Sequence, residues 1–184
     1  MNTQSWKILA LMAFFLLGSG WAIGQGDSRP RPCDLPEGRQ FDFWLGEWEL
    51  SWPAEQFGGP AGTRGHGTNV VTRILDGCII QESFAFPEGN FYGHSFSAYD
   101  AAARVWRQTW VDNRGGYLTF TGTFKDGVME LRTEPYRRNG TTYISRMVFR
   151  NITPDALDWD WQRSADGGQT WEDIWNIHYR RKQQ

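Results

Sequence analysis

The stretch Phe41-Asp-Phe-Trp-Leu-Gly-Glu-Trp-Glu-Leu-Ser-Trp52 changes its hydrophobic period halfway along, and that change decides the fold. Phe41, Trp44 and Leu45 recur at helical spacing for a single turn, and Gly46 ends it. From Glu47 to Trp52 polar and apolar residues alternate, as in a strand with one buried face. A short helical plug therefore runs straight into a first strand.

Downstream, turn signals fall at Asp76-Gly77, Pro87 to Asn90, Asp100 to Ala103, Asn113 to Gly116, Asp126-Gly127, Asn139-Gly140, Asn151 to Asp155 and Ala165 to Gly168. They recur roughly every thirteen residues, with no helical run between them. This pattern predicts an all-β, antiparallel up-and-down meander of about ten strands. A sheet that long must curl, and closing it into a barrel removes its edges.

The rest of the chain fits one domain. Its 184 residues, 40% of them hydrophobic, can fill one sizeable core. Residues 1–24 read as a cleaved signal peptide: Lys7 supplies the positive start, Ile8 to Leu17 the apolar run, and Ala22-Ile-Gly24 the small-residue cleavage site. That run is too short to span a bilayer, and no cysteine follows it closely enough for lipid attachment. Residues 25–40, with Pro30, Pro32 and Pro36, read as an irregular lead-in, and residues 41–184 as the barrel domain. The mature chain is thus expected in the periplasm or secreted, without membrane insertion. A formal charge of -2 gives no global attraction to nucleic acid. In an oxidising compartment Cys33 and Cys78 are expected to form a disulfide, worth about 4 kcal/mol in the chain-entropy account. No histidine neighbours them, so no metal site is expected.

The interior should be aromatic but not purely apolar. Of 11 Trp, nine remain after Trp6 and Trp21 leave with the signal peptide. Leu157, Trp159 and Trp161 alternate with Asp158, Asp160 and Gln162, which turns the tryptophans inward. The face that takes Ile80 and Phe84 also takes Glu82, and the face that takes Trp106 and Trp110 also takes Gln108 and Asp112. From Tyr143 to Arg150 either face could point in. A buried carboxylate needs a partner, so Glu82 is expected to face Arg146 or Arg163. The candidate ligand-binding residues are therefore Glu82, Trp106, Gln108, Trp110, Asp112 and Arg146, together with Trp159, Trp161, Arg163 and Trp44 of the plug. Trp44 would close one end of the cavity, and the loop from Gln56 to Gly62 would gate the other.

The Gly-x-Trp start after a helical turn is similar to the opening of the calycin barrels, which include lipocalins and nitrobindin-like proteins. Phe41 to Trp48, Gly67-Thr-Asn69, Ile74 to Cys78 with Glu82, Tyr99-Asp100, Trp106 to Asp112 and the last hairpin together resemble an uncharacterised bacterial family of exported lipocalin-like proteins. The resemblance implies a calycin-type barrel and no particular activity. Within the last hairpin, Ser164-Ala-Asp166-Gly-Gly168-Gln-Thr-Trp171 is similar to the Asp-box, in which Asp166 binds the turn's own N–H groups, Gly168 takes positive φ and Trp171 anchors the turn. Its role there is structural.

The nitrobindin link raises haem through a histidine on a late strand. The only candidate there is His178, and if Trp175, Ile177 and Tyr179 face inward then His178 faces out. No cofactor is therefore expected. The reading is of a barrel that binds a small, partly apolar molecule. Two alternatives remain. One is a small-barrel enzyme using Glu82 and Asp112 as acid and base, although no nucleophile elbow or metal-ligand cluster is present. The other is a carbohydrate-binding module, which requires Trp171 or Trp175 to be exposed. The oligomeric state is left open.

Overall fold

The computed structural model describes residues 30–183. The signal peptide expected over residues 1–24 and the first part of the lead-in lie outside the described residues. Eleven strands follow: β1 (Gly46–Pro53), β2 (Arg64–Ile74), β3 (Ile79–Phe86), β4 (Phe91–Asp100), β5 (Val105–Asp112), β6 (Tyr117–Lys125), β7 (Val128–Arg132), β8 (Tyr136–Arg138), β9 (Thr141–Arg150), β10 (Ala156–Ser164) and β11 (Glu172–Arg181). Ten of them pair antiparallel around a closed barrel, with β9 on β10 and β11 back on β1. The remaining strand, β8, prolongs the line of β7 along β9: Met129 to Arg132 pair with Phe149 to Arg146, and Tyr136 to Arg138 with Tyr143 to Thr141. Pro135 separates the two pieces, because it has no N–H to give the ladder. The meander is thus the expected ten-strand barrel, and its tight turns have the expected chemistry. Asp126 and Gly127, and likewise Asn139 and Gly140, all take positive φ, as two-residue hairpin turns require.

The plug closes one end. Its helical turn is a 3₁₀ turn, Asp42–Trp44. Phe41 and Trp44 are buried, and Phe41 lies 5.0 Å from Trp106 and 5.4 Å from Phe149, edge to face with both. Two tethers hold the plug. The Cys33–Cys78 disulfide joins the lead-in to the β2–β3 turn, and Arg73 of β2 pairs with Asp42 and donates to the Gly38 carbonyl.

A third contact locks the first strand to the last. Arg181 lays its guanidinium over the Trp48 ring at 4.1 Å and donates to the carbonyls of Leu45 and Phe43. Gly46 sits directly beneath it with φ 123°, and a Cβ there would run into the guanidinium. The glycine that ends the plug is therefore also the space the closing arginine occupies. Among the described residues no helix is long and apolar enough to cross a membrane.

Candidate ligand site inside the barrel

Away from the plug the barrel keeps a cavity of about 290 Å³. Alternation on β10 and β11 supplies one wall, with Trp159, Trp161, Trp175, Ile177 and Tyr179. The opposite wall is Phe84 of β3, Trp110 of β5 and Phe120 of β6. Trp110 fits because the middle of β4 presents the small residues Gly93, Ser95 and Ser97 to the interior, while Tyr92 and Phe96 stand outside. A Cβ at Gly93 would collide with the Trp110 ring. Ser95 lies directly across from both Trp110 and Glu82 in the ladder, so a small residue there makes room for two large ones.

The mouth lies at the other end. The segment expected to be a flexible gate, Gln56 to Gly62, begins as an ordered strap, the 3₁₀ turn Ala54–Phe57. Phe57 packs 4.9 Å from Trp175 and 5.4 Å from Phe86. Gln56 accepts a hydrogen bond from the Asn176 backbone N–H and donates to its side-chain oxygen, taking up groups that β1 leaves free as it diverges from β11. Arg114 lies over Phe57 and Phe91 on this rim, and Asp112 holds the β5–β6 turn through the Arg114 and Gly116 amides and the Trp110 indole. Burial works against ionisation of Asp112, but those donors prevail and keep its carboxyl below the usual range.

Glu82 is the one fully buried carboxylate in this wall. Its Oε1 accepts 2.7 Å from Asn69 Nδ2, and its Oε2 accepts 2.6 Å from the Ser95 hydroxyl. Asn69 also donates to the Tyr179 hydroxyl at 3.2 Å. Neither Arg146 nor Arg163 approaches it, so the expected cation is replaced by two neutral donors. Burial pushes the Glu82 carboxyl up to about 7 despite both hydrogen bonds. Burial and the neighbouring Glu82 push the Tyr179 hydroxyl well above its ordinary value.

Of the ten expected ligand-binding residues the cavity gathers Glu82, Trp110, Asp112, Trp159 and Trp161. The other five are elsewhere, each for a local reason. Trp44 is packed into the plug against Phe149, 5.0 Å away, and Trp106 lies beside it against Phe41. Gln108 is buried deeper in the wall and spends its amide on Ser97. Register resolves the ambiguous β9: Ser145, Met147 and Phe149 point in, so Arg146 points out, where it meets Glu130, Gln162 and the Trp171 ring. Arg163 stays at the rim over Tyr143, paired with Glu172. Asn69, Ser95 and the strap residue Phe57 were not among the expected residues. The one available signal for Ser95 was the run of small residues at alternate positions of β4.

Two other expectations concern the outer face. His178 is 51% exposed there and binds Asp158 through Nδ1 at 2.8 Å, away from the cavity. Trp175 is buried in the cavity wall, and Trp171 is half-buried with Arg146 and Arg132 over its ring. In the turn itself Asp166 accepts from the Gln169 and Thr170 amides and the Ser164 and Thr170 hydroxyls, which holds its carboxyl far below the usual range.

A family model described as "Protein of unknown function (DUF1579)" matches residues 36–181. The chain belongs to that family. The matched span runs from the lead-in through the Arg181 clamp, so the DUF1579 unit contains the plug, the closed barrel and the whole cavity. No curated protein matches the chain.

Proposed function

We propose that this barrel binds a small, partly apolar molecule in the cavity, with Glu82 as its polar anchor. The observation that carries the reading is a single buried carboxylate set among aromatic walls, with no protein cation beside it. Convergent polar atoms in an otherwise apolar hollow are how ligand sites orient their guests. A volume of about 290 Å³ favours one- or two-ring molecules and short aliphatic chains over retinoids or haem. All three histidines, His66, His94 and His178, lie on exposed positions rather than in the cavity lining, so a haem iron would find no imidazole there. The disulfide supports an oxidising, extracytoplasmic location, as the expected signal peptide does.

Acid–base catalysis is the second reading, favoured by a carboxyl that titrates near neutrality. It lacks a matched partner, since Asp112 is committed to its own turn and stays ionised. Carbohydrate binding is disfavoured by the placement of Trp171 and Trp175. The test is a titration of the protein with small aromatic and aliphatic compounds, following Trp fluorescence and melting temperature. A ligand at a hundred times its Kd should add about 2.7 kcal/mol and raise Tm by about 5–10 °C. If no compound moves either signal, the interior is merely core.

A further inference from the structure

Three features of the cavity bear on the chemistry of its guest. The first is charge. Among the described residues lining it are two carboxylates, Glu82 and Asp112, and no Lys, Arg or His. The Arg114 guanidinium lies over Phe57 and Phe91 at the rim, with one nitrogen bound to the Gly89 carbonyl. An anionic guest would have to be buried beside Glu82 with no protein cation in the lining to balance it, which is strongly unfavourable.

The second is unused hydrogen-bonding capacity. Each Glu82 oxygen accepts one hydrogen bond and can accept another. The side-chain oxygen of Asn69, buried just behind, has no partner among the described residues. Around Glu82 and Asn69 the unused positions are therefore acceptors, while on the wall the Trp175 indole N–H is a donor without a partner among the described residues. The third is the walls: Trp110, Trp159, Trp161 and Trp175 with Phe84 and Tyr179 supply the aromatic surface on which cations are held.

We propose, resting on the reading of the cavity as a ligand site, that its guest is a small apolar amine that seats its ammonium N–H groups on Glu82 with its body against the tryptophans. The cation supplies the counter-charge that the fold withholds, so binding and ionisation of Glu82 occur together. The groups facing Glu82 are Asn69 of β2, Ser95 of β4 and Tyr179 of β11. Of these only Tyr179 titrates, far above neutrality, and Asp112 at the mouth is ionised throughout. Between pH 6 and 8 the pH response of binding therefore belongs to Glu82.

The experiment is calorimetric titration of the disulfide-intact protein with three probes of one shape: naphthylmethylamine, naphthylmethanol and naphthoic acid. At pH 8 the amine should bind at least tenfold tighter than the alcohol, with the acid weakest. Its affinity should rise about tenfold from pH 6 to pH 8, as a carboxyl with a midpoint near 7 ionises, while that of the alcohol stays flat. In Glu82→Gln the preference for the amine should vanish while the alcohol still binds, which also shows that the variant is folded. An alcohol or acid that binds as tightly as the amine overturns the amine assignment and leaves the ligand site standing. Failure of all three to bind overturns the site and the assignment together.

Discussion

Glu82 was legible as an inward carboxylate from the alternation of Ile80, Glu82 and Phe84, but its partners were not. A search for a countercharge looks to arginines, whereas the actual donors, Asn69 and Ser95, come from neighbouring strands by register. This solvation has a consequence for stability. The carboxyl titrates at about 7 in the fold against 4.5 when unfolded, so the folded state holds its proton more tightly. The stability that Glu82 contributes is complete below pH 4.5 and is lost as pH rises to 7, by about 3 kcal/mol in all. Urea unfolding of the protein and of Glu82→Gln at pH 4.5, 6, 7 and 8 should show the difference between them drifting by that amount and then levelling off. A difference constant with pH would mean that Glu82 is ionised throughout. Gly46 is the other residue whose surroundings set its identity. Gly46→Ala should cost about 1–3 kcal/mol in backbone strain alone, and more as Arg181 is displaced, seen as a lower midpoint in the same urea titration.

At the scale of elements, period and turn chemistry marked nearly every strand, and the departures occur where the chain breaks its own alternation. Pro135 splits one wall position into β7 and β8, and the register on β10 and β11 slips between Trp161 and Gln162, which leaves Ile174 out of the ladder and against the cavity. Neither leaves a periodic trace. The strap is a further case: its glycines suggested a mobile gate, but Phe57 and Gln56 anchor its first turn to β11 and its neighbours. Phe57→Ala should therefore speed both entry and exit of any ligand in stopped-flow fluorescence, while Tm falls only modestly. At the opposite end, Cys33→Ser with Cys78→Ser should lower stability by about 4 kcal/mol. Ligand affinity should be unchanged by that pair of substitutions in the same calorimetric titration, because the disulfide holds the plug and neither cysteine lines the cavity.

For the whole molecule, evenly spaced turns and a dense set of tryptophans were enough to read a closed barrel, because a long antiparallel meander has few other ways to bury its edges. Which tryptophans fill space and which leave it empty was not readable, since that depends on shear and on the small residues across each rung. The Arg181 clamp also has a temporal meaning. Its contacts with Leu45 and Phe43 span 136 and 138 residues, the longest-range pairings of the ring, and rates of folding fall as such separations grow. As the chain folds, β1 waits with one edge unpaired until β11 is in place, and no shortened chain that lacks β11 can close the same ring. Chains cut before β11 should accordingly show no protected amide core in hydrogen exchange, instead of a ten-strand barrel reduced to nine. Completion of the sheet is thus tied to the arrival of its last strand, and the arginine that stacks on Trp48 is the final residue of the barrel's strands and the one that closes it.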